Sequence, residues 1–186
     1  MCAISGIIGK NLDFNLNKIE KIKKILNHRG PDYSNHICTK NAILIHNRLS
    51  IIDLKKRANQ PFESRNKSKI LVFNGEIYNF LEIKKELKKF NLRFTTNSDT
   101  EVLLMAYEKW GIDCVNKFEG MFAFAIYDLK RKKAFFARDR FGQKPIFFWK
   151  KNNKIHFASE IKGLIAAGYS PKPNLSTWFD YLYFGA

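Results

Sequence analysis

Met1-Cys2-Ala3-Ile4-Ser5-Gly6-Ile7-Ile8-Gly9 opens the chain, and its reading governs the rest. A short apolar run with paired β-branched residues and a closing glycine predicts a buried strand over Cys2 to Ile8. Cys2 stands directly behind the start methionine, so removal of Met1 would leave a first residue carrying both a thiol and a free α-amine. An ordinary thiol has a pKa of about 8.5 and an ordinary α-amine about 7.7–8.0, so the amine is placed to take the thiol proton and return it. Such a residue is nucleophile and base at once, with no need of histidine or aspartate. Taken alone, a small cysteine lying inert in a strand explains the same position.

Outward from this strand, Leu16 to Asn27 has helical spacing, with Ile19, Ile22 and Leu26 on one face and lysines opposite. The chain then turns at Arg29-Gly30-Pro31-Asp32. Ala42 to Ile52 and Ile70 to Phe73 predict strands. Leu81 to Phe90, with Ile83 and Leu87, and Asp99 to Trp110, with Val102, Leu103, Ala106 and Tyr107, predict helices. Phe122 to Tyr127, Ala134 to Arg138, Ile146 to Trp149 and Ile155 to Ala158 are short aromatic-rich segments between polar turns, the pattern of an antiparallel meander. Glu160 to Ala167 reads as a short helix. Ser170-Pro171-Lys172-Pro173-Asn174 reads as a linker, and Leu175 to Phe184 as the start of another helix. Strands in two groups with helices around them imply an α+β layered domain.

The 186 residues, 45% hydrophobic and 15% aromatic, suit one domain with a sizeable core and argue against disorder. No apolar run approaches the ~18 residues a membrane span needs, and no secretory signal opens the chain, so a cytosolic protein is expected. Cys2, Cys38 and Cys114 are odd in number and widely spaced, which fits a reduced compartment; Cys38 and Cys114 are expected to be packing residues. His36, His46 and His156 lack metal-like spacing and read as strand residues, so no metal site is expected. The 33 basic against 17 acidic residues give +16, but the lysines are spread over helix faces and turns. A solvated basic surface is preferred to a nucleic-acid site, because no recognition motif accompanies the charge.

Seven further blocks follow the opening: His28-Arg29-Gly30-Pro31-Asp32; Arg48-Leu49-Ser50-Ile51-Ile52-Asp53; Asn74-Gly75-Glu76-Ile77-Tyr78-Asn79; Ser98-Asp99-Thr100-Glu101; Gly120-Met121-Phe122-Ala123-Phe124; Arg138-Asp139-Arg140-Phe141-Gly142-Gln143-Lys144-Pro145; and Phe157-Ala158-Ser159-Glu160-Ile161-Lys162. In this order they resemble the N-terminal glutaminase domain of the asparagine synthetase family of class II glutamine amidotransferases, from Cys2 to about Leu164. Ala3 departs from the family's usual glycine. The resemblance implies a four-layer αββα sandwich of two antiparallel sheets, the N-terminal nucleophile hydrolase fold. Residues 1–165 would be the glutaminase domain, and 166–186 a linker and helix leading towards a synthetase domain that this chain lacks.

The same resemblance implies roles. Cys2 would attack the side-chain amide of glutamine, while the Asn74 side chain and the Gly75 N–H hold the oxyanion. Arg48 would bind the substrate α-carboxylate, and Asp99, with Glu76 nearby, its ammonium. Each residue also has a structural reading: Arg48 could pair with Asp53, Asp99 sits where a helix cap is expected, and Asn74-Gly75 resembles a hairpin turn. His28 and Arg29 read as polar groups flanking a turn, and Arg138-Asp139-Arg140 as an ion-pair cluster of architectural role. No cofactor is expected in this chain; ATP and Mg belong to the synthetase domain, since no phosphate loop or acidic metal cluster is present here. The expected partners are glutamine and a synthetase domain or subunit, with a homodimer left open. The alternatives are the same domain serving a sugar or small-carboxylate acceptor, and a catalytically silent basic interaction module.

Overall fold

The structure, a computed structural model, describes residues 1–13 and 15–185. Among these residues, nine strands form two antiparallel sheets. The first has the order β2-β3-β1-β9-β8, from β1 (Ala3–Ile8), β2 (Tyr33–Thr39), β3 (Ala42–Arg48), β8 (Phe147–Lys151) and β9 (Lys154–Ala158). The second has the order β4-β5-β6-β7, from β4 (Phe62–Glu63), β5 (Lys69–Ile77), β6 (Gly120–Asp128) and β7 (Lys133–Arg138). Helices α1 (Leu16–Leu26) and α4 (Ile161–Ala166) cover the first sheet; α2 (Phe80–Lys88) and α3 (Asp99–Trp110) cover the second.

Alternation along the central strands builds the layers. Ile43 and Ile45 of β3 face the helix layer of Ile19, Ile22 and Leu26, while Leu44 between them joins Ile4, Ile70, Val72 and Phe157 in the seam between the sheets. On β5, Leu71 and Phe73 meet Ile83, Leu87 and Leu103 of α2 and α3, and Ile70 and Val72 face inward to the other sheet. The expected four-layer αββα sandwich is therefore present. His46 of β3 adds a polar tie between the sheets, its Nε2 lying 3.1 Å from the Phe73 carbonyl oxygen of β5.

Several local expectations are corrected. The four aromatic segments are not one meander. β6 and β7 belong to the second sheet, whereas β8 and β9 join the first, because β9 pairs with β1 from Ser5↔Ala158 to Ile8↔Ile155. Strand β3 stops at Arg48 rather than Ile52, and β5 runs through Asn74-Gly75, which is extended and paired to Ala123 and Phe122 rather than turning. Cys38 is exposed on β2, an edge strand, so it is not a packing residue; Cys114 is buried. Asp139 pairs with no arginine. Its carboxylate accepts from the backbone N–H groups of Phe122, Gln143 and Lys144 and so shapes the turn after β7. The helix α5 (Leu175–Phe184) is capped by Asn174, and all its side chains are exposed.

Candidate active site

One end of the sandwich brings the starts of β1 and α3 together with the ends of β3 and β5. Cys2 enters β1 just before the first rung of its pairing with β3, Ala3↔Asn47. Its Sγ accepts from the Leu49 N–H at 3.4 Å and lies 3.6 Å from the Leu49 carbonyl oxygen. Burial pushes the Cys2 thiol up, while the Leu49 contact and the charge of Arg48 oppose that shift. The strand behind Cys2 is tied to the β9–α4 corner, where Ile4 N–H donates to Ser159 Oγ at 2.9 Å and Ser159 N–H to the Ile4 carbonyl at 2.8 Å.

Across the inter-sheet seam, β5 presents Asn74, Gly75 and Glu76. Asn74 is 1% exposed and, among the described residues, its Nδ2 has no hydrogen-bond partner. A buried amide donor left unpaired is costly, so such a group points to something it meets only part of the time. Gly75 is required by the approach of β6: an added Cβ would stand 2.6 Å from Phe122 Cα and closer still to the Met121 carbonyl oxygen.

Asp99 is the first residue of α3, with Ser98 as its N-cap, the Ser98 side chain accepting from Thr100 N–H at 3.2 Å. The Asp99 carboxylate accepts from Ile77 N–H at 3.1 Å and from Ser98 Oγ at 3.3 Å. Burial nevertheless drives its pKa up to about 6, with Glu76 adding to the rise. Arg48, at the end of β3, does not pair with the Asp53 carboxylate. Its guanidinium donates to the carbonyl oxygens of Ile52, Asp53 and Lys55 and to Asn59 Oδ1, fastening the loop after β3 beside the cleft.

All six expected residues, Cys2, Arg48, Asn74, Gly75, Glu76 and Asp99, line one cleft of about 100 Å³. Met1 also lines it, with Lys144 Nζ 2.9 Å from the Met1 sulfur. Two contributors escaped the sequence reading. Gln60, in a loop without a motif, accepts from Phe73 N–H at 2.6 Å and reaches Thr100 Oγ1, bracing β5 against α3. Arg29 is no mere flank of a turn: its Nε donates to the Cys2 carbonyl oxygen at 3.0 Å. Its block, His28-Arg29-Gly30-Pro31-Asp32, was visible, but the reach of its side chain was not.

A family described as the glutamine amidotransferase domain matches residues 1–185. The chain belongs to that family. Among curated relatives, a Methanocaldococcus jannaschii protein named for asparagine synthetase (glutamine-hydrolyzing) is 38% identical over 203 residues, covering 99% of this chain and 39% of its own length. Asparagine synthetase (glutamine-hydrolyzing) 3 of Bacillus subtilis is 38% identical over 89% of this chain, which is 28% of that protein. Asparagine synthetase B of Escherichia coli is 36% identical over 89% of this chain and 30% of its own. The amidotransferase domain thus spans well under half the length of these relatives. Among solved structures, a glutamine phosphoribosylpyrophosphate amidotransferase from B. subtilis superposes with a TM-score of 0.73 over 90% of this chain and 44% of that one, at 21% identity, a likeness of fold. The chain therefore shares that structure's fold, two antiparallel sheets flanked by helices. Among the described residues no helix is long and apolar enough to cross a membrane.

Proposed function

We propose that this domain hydrolyses the side-chain amide of glutamine and passes ammonia to an asparagine synthetase-type amidation. The observation that carries the reading is the unpartnered, buried Asn74 Nδ2 in the wall of the cleft that also holds Cys2. An oxyanion formed by attack of Cys2 supplies the acceptor which that donor lacks.

Removal of Met1 does two things. While it is present, the Cys2 nitrogen is an amide and cannot act as a base, and the Met1 side chain stands in the cleft beside Lys144. After its removal the Cys2 amine takes the thiol proton as Sγ forms a bond to the amide carbon of glutamine. Asn74 Nδ2 and Gly75 N–H hold the oxyanion, preorganised donors aimed at developing charge. The amine returns its proton to the nitrogen, the C–N bond breaks, and ammonia leaves a thioester. Water, deprotonated by the same amine, adds to the thioester, and glutamate leaves as the thiol is restored.

Asp99, with Glu76 beside it, takes the substrate ammonium. Arg48 receives the α-carboxylate on donors now given to the loop carbonyls, so substrate and loop compete for one guanidinium. This half-reaction uses no metal or cofactor; ATP and Mg serve the synthetase step, in a domain or subunit to which residues 166–186 lead. Asparagine synthetase is preferred over a sugar or other carboxylate acceptor because the curated relatives carry that name. The compartment proposed is the cytosol, in keeping with an exposed, unpaired Cys38.

The test is release of glutamate and ammonia in equal amounts from glutamine by protein lacking Met1. Cys2→Ala should abolish both. Equal turnover by wild type and Cys2→Ala would remove Cys2 from the chemistry.

A further inference from the structure

Outside the cleft, one carboxylate gathers a lysine, an arginine and a histidine. Glu160, between β9 and α4, lies 2.9 Å from Arg29 Nη1, 3.0 Å from His28 Nε2 and 2.9 Å from Lys162 Nζ. Two of these partners are half-exposed ends, with side-chain exposures of 49% for His28 and 43% for Lys162. Such contacts contribute little to stability. Arg29 differs, being 10% exposed, and the same guanidinium that meets Glu160 through Nη1 holds the Cys2 carbonyl through Nε.

Geometry makes this pair a lever on the nucleophile. A carbonyl fixed by a hydrogen bond fixes the plane of its peptide, here the Cys2–Ala3 unit. That plane and the rung Ala3↔Asn47 set the direction in which the Cys2 side chain leaves the backbone. A guanidinium is a rigid fork, so anchoring one arm orients the other. Without a carboxylate at Nη1, Arg29 would be a mostly buried cation whose Nη2 already has no partner, free to swing away from Cys2. The preceding residue, Ser159, grips Ile4 in both directions, so one corner of the chain holds both Cys2, through Arg29, and Ile4.

We propose that Glu160 is a positioning residue for Cys2, acting through Arg29 to hold the nucleophile in its attacking orientation. The inference rests on the glutaminase reading of the same site. Glu160 touches neither substrate nor the reacting atoms. Against the upward push of burial, hydrogen bonds from Lys162, Arg29 and His28 lower its carboxyl pKa to about 2, so the anchor persists across the working range.

The experiment compares wild type, Glu160→Gln, Glu160→Ala and Glu160→Asp as full chains lacking Met1, and repeats Glu160→Gln in an Arg29→Ala background. A misplaced reacting group costs up to about 100-fold, so kcat should fall on the order of 10-fold in Glu160→Gln and further in Glu160→Ala. KM for glutamine should stay within about 2-fold, Glu160→Asp should recover part of the rate, and Glu160→Gln should cost nothing more once Arg29 is gone. Glu160→Gln is isosteric, so it keeps the test alive if Glu160→Ala does not fold. Folded Glu160→Gln with wild-type kcat overturns the inference, as does a loss of equal size with and without Arg29. An inactive wild type would instead strike at the glutaminase reading.

Discussion

Asp99 is costly to ionise in its buried place at the cleft. Its folded pKa, about 6, lies above the ordinary carboxylate value, so protonation favours the fold. The stability it contributes is present at low pH and lost as pH rises through about 6. At neutral pH the ionised side chain therefore weighs on the empty protein by on the order of 2–3 kcal/mol. Glutamine's ammonium would relieve that cost. Asp99→Asn is accordingly expected to raise the thermal midpoint at pH 7.5 while raising KM for glutamine about 100-fold, as calorimetry and steady-state kinetics would read; wild-type KM should also climb as pH falls below about 6. Asn74→Ala tests the opposite corner. Its Nδ2 has no hydrogen-bond partner among the described residues, so kcat should fall roughly 100- to 1000-fold with little change in the midpoint. Residues like these were legible because their blocks carry them in order. Arg29 was not, because what distinguishes it is a bond to a carbonyl 27 residues away.

Among the elements, α3 was legible in its bounds, Asp99 to Trp110, though its cap is Ser98 rather than Asp99; Gly111, at φ 62°, ends it. Helix α1 was equally plain from its apolar stripe. Strand β2 was missed because Tyr33–Thr39 is largely polar, an edge strand with neither face fully buried. The sheet assignment of β8 and β9 was illegible for a different reason: local hairpins look alike whichever sheet they join, and the deciding rungs pair residues some 150 positions apart. The seam those strands enclose has its own titration. Burial holds His46 neutral, with a pKa lowered to about 3, whereas an unfolded histidine takes a proton below about 6.5. The stability from His46 is thus complete above that pH and lost progressively as pH falls towards 3. His156 on β9, lowered to about 4, acts in the same direction and Asp99 in the other. His46→Gln should flatten the fall in unfolding free energy between pH 6 and 4 by about one proton, as urea titrations at each pH would read.

On the scale of the whole molecule, 33 basic against 17 acidic residues leave a net charge of +16, a mutually repelling excess of positive charge. The thermal midpoint should rise as salt goes from about 0.01 to about 1 M, where the screening length shrinks from about 30 to about 3 Å; a falling midpoint would mean that attractive surface pairs dominate. The architecture explains how the proposed catalysis would rest on Cys2 once Met1 is removed. With β1 central in one sheet and facing β5 of the other, Cys2 and Asn74 line the same cleft. That arrangement is tested most directly by the intact mass of protein lacking Met1, before and after a glutamine-analogue electrophile, with the adduct located by peptide mapping. A single adduct on Cys2, blocked by excess glutamine, is the predicted result. Cys2 left unlabelled with Met1 already gone would contradict the account.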